Sequence, residues 1–438
     1  MWDQSSPQSR GMVDRIRIKR RSSGLPGTGI LNTMNRNQSS SRPSILMLAF
    51  VWAFLAGVVE AQETVPASPE EVVDRPWWRF LETEPLLPET LGANGLPTGW
   101  VSVGGDARYE IEVGEDGETI LRGIGGGPRN TFLVDPRITG DFLLEFEVLI
   151  DRGGGNSGVQ IRSAVETDRM FGYQIEIDPS ERSWSGGLYD EGRRGWLASL
   201  EDSIEARDSF VPGRWNRYTV LAVGPRIRTW INDVPAVDHV DFMDSQGRIG
   251  LQVHSGHCDV RWRRLRIADL GVRTPKSVIT PGNLSGVDVD PQDGMKPGDG
   301  SFDPSVEGVT VTVTEPMPEA PSGFDLSATI RRGAVRIELG DVENGPGYVL
   351  TVPGPLGRPG KPGMIRIRRS PDSMRVFVDD VPMVPGPPNL EGPLMISIEI
   401  DGGTIASIHE MTVTPPTALE SRAIEEWKAA KLEIQADP

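Results

Sequence analysis

The stretch DFLLEFEVLIDRGGGNSGVQIRSAVETDRMFGYQIEID, residues 141–178, decides the fold class. Apolar and polar side chains alternate in three runs within it, at 141–150, 158–163 and 172–178. Alternation with a period of two is typical of β-strands that bury one face. The stretch therefore predicts strands of an all-β domain.

Further strands are predicted on the carboxyl side of this stretch. Alternating runs occur at 215–223, 226–231, 248–254 and 260–267, and no helical period of comparable length interrupts them. The chain also contains 51 Gly and 37 Pro, a composition that suits a protein rich in turns. Residues 76–270 are accordingly predicted to form a β-sandwich.

A second unit follows in the sequence. Residues 271–307 lose the alternation and are rich in Pro, Gly and Asp, so we predict a linker. Beyond it, RVFVDDVPMV at 375–384 aligns with RTWINDVPAV at 228–237, and both segments are followed by a Gly turn and two strands. Residues 308–415 are therefore predicted to form a second, smaller and degenerate β-sandwich.

The carboxyl-terminal tail, residues 416–438, is predicted to form a short helix. Thr417 and Glu420 have the spacing of a capping box, and Ile424, Trp427 and Ile434 fall on one helical face. This face is expected to pack on a neighbouring element.

The amino-terminal region carries a targeting signal by its composition. The apolar run ILMLAFVWAFLAGVV at 45–59 follows Arg36 and Arg42 and precedes a small-residue cleavage pattern, which predicts a signal peptide within residues 1–61. An uncleaved anchor is the alternative, although the run is shorter than the roughly 20 residues of a membrane span. A polar tether at 62–75 comes next. We expect an exported protein, located in the periplasm, in the cell envelope or outside the cell, with no stable membrane span after cleavage.

Charge and cysteine content exclude several kinds of partner and site. The formal net charge is −17, which argues against nucleic acid and anionic membranes as partners. Cys258 is the only cysteine, so an intrachain disulfide and a Cys-based metal site are excluded. Its thiol is expected to be buried and inert.

The polar positions of the alternating strands form the candidate site. In 158–163 and 172–178 the apolar residues are expected to face the core, which leaves the intervening residues on the other face. If the strands share a sheet, one face gathers amides, carboxylates, an arginine and a histidine, a mixture that suits sugar hydroxyls and proton transfer. The alternative is a polar face that simply meets water. These positions are Glu145, Gln160, Arg162, Gln174, Glu176, Asp178, Gln252 and His254.

Aromatic residues lie in the intervening segment SWSGGLYDEGRRGWL, residues 183–197. Trp184, Tyr189 and Trp196 either stack on a sugar ring or pack within the fold. Glycine-rich segments at 123–128 and 152–158 precede strands rather than helices, so phosphate-binding loops are not expected there.

Residues 77–270 resemble the 3-keto-disaccharide hydrolase domain family. The resemblance is carried, in order, by DFLLEFE at 141, NSGVQIRS at 156, GYQIEID at 172, SGGLYDEG at 185, GRWNRYTV at 213, IRTWINDV at 227, GRIGLQVHSG at 247 and RWRRLRI at 261. It implies a concanavalin A-like lectin/glucanase sandwich, or jelly roll, that cleaves glycosides already oxidised at C3. The order of acid and amide in 173–178 departs from the family pattern.

The resemblance also implies roles for the polar face. A base must remove the acidic hydrogen at C2 next to the ketone, and an acid must protonate the leaving oxygen. We assign catalysis to Glu176, His254, Arg162 and Asp178. Substrate binding is assigned to Glu145, Asn156, Gln160, Gln174, Trp184, Tyr189 and Gln252.

Three questions stay open at this point. A divalent metal held by His254 with carboxylates is chemically reasonable, but one histidine gives no diagnostic spacing. The same fold also serves noncatalytic, lectin-like envelope proteins, and an adhesion or scaffold protein is a third alternative. In the second unit we expect Ser397 and Glu399 in the places of Gln252 and His254, and hence no second active site.

Overall fold

The computed structural model describes residues 76–436, except for residues 89, 94, 116, 281, 297, 342–344, 359, 384–389 and 391. The predicted signal peptide and the tether at 62–75 lie outside the described residues.

The first half of the described chain forms a sandwich of short antiparallel strands. A 3-10 helix at Trp77–Phe80 precedes it, and a short helix α1 (Ile204–Asp208) interrupts it. The strands are β1 (Glu84–Pro85), β2 (Val101–Gly104), β3 (Arg108–Val113), β4 (Thr119–Gly125), β5 (Thr131–Val134), β6 (Asp141–Ile150), β7 (Ser157–Glu166), β8 (Arg169–Ile177), β9 (Leu188–Glu191), β10 (Gly195–Ala198), β11 (Asn216–Val223), β12 (Arg226–Ile231), β13 (Val234–Val240), β14 (Arg248–Val253) and β15 (Cys258–Gly271).

These strands form two sheets in the described part of the chain. Sheet I has the order β13-β12-β11-β6-β15-β4-β3, with β1 added beside β15, and sheet II has the order β10-β9-β8-β7-β14-β5-β2. Phe142, Leu144 and Phe146 of sheet I meet Val159 and Ile175 of sheet II in one buried core. The apolar half of each alternating run thus fills the sandwich, and the predicted jelly-roll fold is confirmed.

A second, smaller sandwich follows. Its strands are β16 (Lys276–Ile279), β17 (Val287–Asp290), β18 (Val309–Val313), β19 (Ser322–Arg332), β20 (Ala334–Asp341), β21 (Gly345–Pro353), β22 (Gly363–Ser370), β23 (Ser373–Val378), β24 (Val381–Pro382), β25 (Leu394–Ile400) and β26 (Ile405–Thr414). Sheet III has the order β16-β26-β19-β22-β23-β24, and sheet IV has the order β17-β18-β25-β20-β21. A 3-10 helix lies at Gln292–Gly294.

The expected linker at 271–307 belongs in part to this second sandwich. β16 pairs with β26, and β17 pairs with β18, so both strands are members of its sheets. The alternation in these strands is only four residues long, too short to distinguish from loop sequence. The folded second unit therefore starts earlier than the predicted residue 308.

The two sandwiches share a topology. The series β13-β12-β11-β6-β15 in sheet I corresponds to β24-β23-β22-β19-β26 in sheet III. The hairpin turns of the aligned segments match as well, because Asn232 and Asp233 have positive φ angles of 51° and 69°, and Asp379 and Asp380 have angles of 49° and 65°. The predicted internal repeat is thus a repeat of structure.

The chain ends in helix α2 (Ala418–Ala436). The predicted capping box forms: the Thr417 N–H donates to Glu420 Oε2 at 2.8 Å, and the Glu420 N–H donates to Thr417 Oγ1 at 3.3 Å. Ile424 and Trp427 pack with Trp77 and Trp78 against the outer face of sheet I. The Ile434 side chain lies outside the described part.

Within the described residues, no helix combines the length and the apolar character that a membrane crossing requires.

Candidate functional site

The outer face of sheet II carries the candidate site. Gln160 of β7 is paired with Gln174 of β8, and Gly158 of β7 lies between Glu176 of β8 and Gln252 of β14. All four polar side chains point away from the core. The structure therefore brings together four of the residues that the alternation predicted.

Two glycines allow this face to pack closely. A Cβ atom at Gly158 would lie 2.5 Å from Cδ of Gln174, and one at Gly250 would lie 2.5 Å from Sδ of Met170. Gln174 and Met170 therefore lie flat on the sheet, where any larger residue would displace them. The face is consequently a buried layer, and the alternative of a solvated face does not describe it.

Glu176 is held by three hydrogen-bond donors. Its Oε1 accepts from Nδ2 of Asn156 at 2.9 Å and from Arg182 at 2.8 Å, and its Oε2 accepts from Nε2 of Gln174 at 3.2 Å. The residue is 4% exposed. Burial raises the pKa of Glu176, and the bond from Asn156 and the charge of Arg182 oppose this effect only in part.

Gln252 differs from its neighbours because its amide has no protein partner. Neither Oε1 nor Nε2 forms a hydrogen bond with any described residue, although the side chain is fully buried. In contrast, Gln160 donates to Gln174 at 2.9 Å and accepts from Ser163 at 2.6 Å. An unpaired buried amide lowers the stability of the fold by about 1–3 kcal/mol. The amide of Gln252 is therefore suited to bind a ligand or a water molecule.

The β7–β8 hairpin crosses over this face. A β-bulge between Ile161 and Ala164 bends β7. At the hairpin tip, Asp168 accepts from the Gly104 N–H at 2.9 Å and pairs with Arg129 at 2.8 Å. Gly104 belongs to β2, the far edge of sheet II, so the tip spans the outer face and forms one wall of a groove.

Glu191 lies in this groove and was missed by sequence reasoning. Its Oε1 accepts from Nδ2 of Asn130 at 3.2 Å, and the two residues line a cavity of about 440 Å³ with Asp168, Arg169 and Ser255. Burial raises the pKa of Glu191, and Asn130 and the charge of His254 lower it less. The sequence did contain a signal for Glu191. It lies two residues after Tyr189, which was assigned to substrate binding, and therefore on the same face of the strand.

His254 follows β14 and is half-buried. Its Nδ1 lies 3.0 Å from the carbonyl oxygen of Ser255, so Nδ1 donates and the Nε2 lone pair is left for a ligand. When its imidazole is protonated, the charge of His254 lowers the pKa of Glu191, so the two side chains lie near each other. The predicted histidine thus lies next to the groove that contains the missed carboxylate, since its neighbour Ser255 lines that groove.

Half-buried aromatic rings flank Glu176. Trp184 and Trp196 meet edge to face at 4.8 Å, and Tyr189 contacts Trp196 at 5.1 Å. The Arg182 guanidinium lies 5.0 and 5.1 Å from the two tryptophan rings. The rings pack on one another and orient Arg182 towards Glu176.

Asp178 organises the loop that follows β8. It accepts from the Ser180 N–H at 3.1 Å, from Nε of Arg182 at 2.7 Å and from the Trp184 N–H at 3.3 Å. These bonds, together with those of Arg182, outweigh burial and lower the pKa of Asp178. Because both carboxylate oxygens are occupied within the loop, Asp178 acts as a positioning group.

Glu145 does not belong to this site. It lies on β6 of sheet I, next to Thr219 and Arg266, and pairs with Arg79 at 3.1 Å. The expectation that its strand shares a sheet with β7 and β8 is wrong. Alternation predicts which residues share a face of a strand, but it does not predict which sheet the strand joins.

Arg162 is also absent from the polar face. Its φ angle of 46° places it in the bulge of β7, which ends the simple alternation. The buried guanidinium donates to Asp141 at 2.7 Å, to the Gly140 carbonyl at 2.8 Å and to the Gly224 carbonyl at 2.6 Å. The predicted catalytic arginine thus ties β7 to sheet I.

The described residues contain no group of three or more His, Cys, Asp or Glu side chains that could hold a metal ion. His254 therefore has no set of carboxylates around it that would complete the metal site considered from the sequence.

In the second sandwich, the corresponding strand carries partly exposed polar residues instead of a buried amide. The strand alignment places Glu399 at the position of Gln252, so the expected pairing of Ser397 with Gln252 and of Glu399 with His254 is shifted by two residues. Glu399 forms a surface ion pair with Arg336 at 2.7 Å.

Comparison with known families agrees with the resemblance found in the sequence. Residues 91–268 match the model of the 3-keto-alpha-glucoside-1,2-lyase-like domain. The matched segment contains all the groove residues described above. No curated protein matches the chain.

Several solved structures are similar to part of the chain at low identity. A carbohydrate-binding module from Bacillus subtilis is 17% identical, with 38% of this chain and 94% of that chain covered and a TM-score of 0.30. A protein of unknown function with a galectin-like fold, also from Bacillus subtilis, is 13% identical over 44% and 97% of the chains, with a TM-score of 0.33. Domain 4 of an extracellular arabinanase from Geobacillus stearothermophilus is 12% identical over 42% and 86%, with a TM-score of 0.28.

Proposed function

We propose that the groove on sheet II binds a carbohydrate and cleaves glycosides that carry a ketone at C3. One observation carries this proposal: next to the groove, His254 has its Nδ1 bonded to the Ser255 carbonyl, which leaves Nε2 for a ligand, and its charge acts on the carboxyl group of Glu191, whose pKa is raised. On the same face of sheet II, the buried amide of Gln252 has no partner among the described residues. The family match over residues 91–268 supports the same chemistry.

The reaction needs one base and one acid. The ketone at C3 acidifies the hydrogen at C2; a base removes that proton, the C1–C2 double bond forms, and the C1–O bond breaks while an acid protonates the leaving oxygen. Water then adds its oxygen to C1, and C2 regains a proton. The sum is hydrolysis of the glycoside without any oxidant.

The groove geometry favours an assignment of these roles. His254 serves as the base, because Nε2 has the available lone pair. Glu191 serves as the acid, since burial raises its pKa above the ordinary value of a glutamate. Gln252 is assigned to hydrogen bonds with the sugar.

Glu176 takes a different role from the one first assigned. Its carboxylate already accepts three hydrogen bonds, so it is better suited to fix Asn156 and Gln174 than to exchange protons. Arg182 and Asp178 support this arrangement from the adjacent loop.

The test is an assay of the purified protein with a 3-keto-glucoside and with the same glucoside unoxidised. Release of the aglycone from the 3-keto substrate alone is expected. His254→Ala and Glu191→Gln should each lower kcat at least about 100-fold, the usual contribution of a general acid or base. Glu145→Gln is the matched control, because Glu145 lies on sheet I, and its activity should stay within about twofold of the unmodified protein.

Two outcomes would reject the enzyme proposal. Binding of the sugar without release would favour the noncatalytic, lectin-like alternative, for which the unpaired Gln252 amide is equally suited. No affinity for either sugar would favour an adhesion or scaffold role.

We also propose that the protein acts after export. The apolar run at 45–59 supports this proposal. Amino-terminal sequencing of the protein from its native cell would test it: a mature start near residue 62 is expected, and a start upstream of residue 45 would contradict it.

A further inference from the structure

Asn130 lies between the two groups to which the proposed function assigns acid and base. Its Nδ2 donates to Oε1 of Glu191 at 3.2 Å, and its Oδ1 accepts from the Ser255 N–H at 2.9 Å. The Ser255 carbonyl in turn accepts from Nδ1 of His254 at 3.0 Å. One side-chain amide and the backbone of one residue thus connect Glu191 to His254.

Strand pairing alone does not connect Glu191 and His254. Glu191 ends β9 and His254 follows β14, and in sheet II the strands β8 and β7 lie between them. The relative position of the two side chains therefore depends on residues that reach over the outer face of the sheet. Asn130 is such a residue, since it directly precedes β5, the strand on the other side of β14.

The backbone of Asn130 is held by close contacts. The Gly105 N–H donates to the Asn130 carbonyl at 2.8 Å. A Cβ atom at Gly104, whose φ angle is 101°, would lie 2.3 Å from the same carbonyl oxygen, so this approach requires a glycine. The Gly256 N–H also donates to the Gly127 carbonyl at 2.7 Å, which ties the loop after β14 to the loop before β5. The amide of Asn130 is therefore presented from a fixed position.

The two bonds of Asn130 require a donor and an acceptor on one side chain, which its amide supplies. Because the Ser255 N–H is a donor, it must face Oδ1, and this leaves Nδ2 to face Glu191. A carboxyl oxygen that accepts a hydrogen bond is favoured as the carbonyl oxygen when the group is protonated. The acidic proton of Glu191 is accordingly placed on Oε2.

We propose that Asn130 is a positioning residue of the groove, which orients Glu191 and the loop of His254 relative to each other and directs the acidic proton of Glu191 to Oε2. This inference rests on the proposed function, because the roles of Glu191 and His254 in that reaction give their orientation a catalytic effect. Neither the alternation of the strands nor the family match assigns a role to Asn130.

Two substitutions separate the bonds of Asn130. Asn130→Asp keeps the shape and an acceptor for the Ser255 N–H but lacks the donor to Glu191. It should lower kcat for the 3-keto-glucoside about tenfold, the usual effect of losing one hydrogen bond to a charged group, with KM within about threefold. Asn130→Ala removes both bonds and should lower kcat further.

Asn283→Ala is the matched control for these substitutions. Asn283 lies in the second sandwich, and its Oδ1 also accepts from a backbone N–H, that of Ser285 at 3.0 Å. Its loss should leave kcat and KM unchanged.

The pH dependence of kcat distinguishes positioning from a general loss of structure. Glu191 acts in its protonated form, so kcat falls as the pH rises through its pKa. The donor of Asn130 lowers this pKa; its loss and the new negative charge in Asn130→Asp both favour the protonated form, so the fall should move to higher pH. A merely structural role would lower kcat without moving the fall. The charged residues that act on Glu191 or line its groove are unchanged by the substitution; they are His254, Arg169, Asp168 and Arg129.

Carbon-13 NMR of the Glu191 carboxyl group tests the contact without any substrate. Glu191→Gln removes its signal and so assigns it. In Asn130→Asp the signal should titrate at a higher pH than in the unmodified protein. If Asn130→Asp does not fold, Asn130→Ala should shift the titration in the same direction, because it also lacks the donor.

Two results would overturn the inference: a titration of Glu191 that the Asn130 variants leave unchanged, or a kcat that stays within about twofold in both variants. Failure of the unmodified protein to release the aglycone from the 3-keto-glucoside would instead reject the proposed function. The NMR titration would then still report whether Asn130 bonds to Glu191.

Discussion

At the scale of single residues, the unpaired amide of Gln252 is expected to favour binding of the sugar and to lower the stability of the fold. Gln252→Met should raise the midpoint of thermal unfolding, because it removes a buried polar group with no partner, a gain of about 1–3 kcal/mol. The same substitution should weaken binding of the sugar, since the amide donor and acceptor that are assigned to the sugar are lost. Differential scanning calorimetry and sugar titration measure the two effects.

Gln160→Met is the matched control for that substitution. Gln160 is equally buried on the same face, but it bonds to Gln174 and Ser163. Its replacement should lower the unfolding midpoint because it leaves Oε1 of Gln174 without its donor. If both variants destabilise the protein to the same extent, Gln252 has a structural partner and the interpretation of its role is wrong.

Cys258 should be unreactive in the native protein, as its sequence context predicted. It is fully buried, and its thiol donates to the Asn156 carbonyl at 3.2 Å. Burial raises the pKa of this thiol to about 11, so almost no thiolate exists at neutral pH. A thiol reagent should label Cys258 only after denaturation. Fast labelling of the folded protein at pH 7 would contradict this expectation.

At the scale of elements, the sequence predicted where strands begin and end better than it predicted which strands pair with each other. The strands at 141–150 and 226–231 have the bounds that the alternation predicted. It could not predict that the strand of Glu145 joins sheet I, because both sheets of a sandwich bury one face of each strand. Nor could it locate the bulge that turns Arg162 away from Gln160, since a bulge follows from contacts distant in sequence.

The bulge of β7 places Arg162 in a buried ionic network. Asp141 accepts from Arg162 and from Arg273, and Arg273 also contacts Glu420 of helix α2. Arg162→Met should lower the free energy of unfolding by about 3–5 kcal/mol, because Asp141 keeps a buried charge with one partner fewer. Urea denaturation followed by tryptophan fluorescence measures the loss.

Arg108→Gln is the control for the ionic network. Arg108 pairs with Glu110, but its side chain is 67% exposed, so the change should be below about 1 kcal/mol. If Arg162→Met is as mild as this control, the buried network does not stabilise the fold.

At the scale of the whole molecule, the internal repeat was predictable and its geometry was not. The aligned segments at 228–237 and 375–384 share turn residues that force positive φ angles, which is why the second sandwich could be inferred. The sequence did not predict that strands of these two segments also contact each other where the sandwiches meet. The residue type of a surface arginine or aspartate does not indicate which residue it will pair with. Arg226, Arg375, Asp238 and Asp372 form this contact.

This contact should weaken in acid because of Asp238. Burial alone would raise its pKa, but the hydrogen bonds and charges of Arg226 and Arg375 outweigh burial and lower the pKa to about 2. A carboxyl group with a lowered pKa in the folded state stabilises the fold above its ordinary pKa near 3.8, and this contribution is lost as the pH falls towards 2. Since Asp238 is 40% exposed, solvent screening makes the contribution modest.

Asp238→Asn should therefore lower the unfolding midpoint at pH 7 and have a much smaller effect at pH 2, where about half of the Asp238 carboxyl groups of the unmodified protein are protonated and most of the stabilisation is lost. Calorimetry across this pH range measures the difference between the two proteins, which removes the effect of the other acids that titrate in the same range. Asp288→Asn, at an exposed position of β17, is the control and should show no such difference.

Because the contact joins the two sandwiches, loss of the Asp238 charge should also broaden or split the unfolding transition as the two cores melt more independently. A midpoint difference that is the same at pH 7 and pH 2 would show that the Asp238 charge does not hold the sandwiches together.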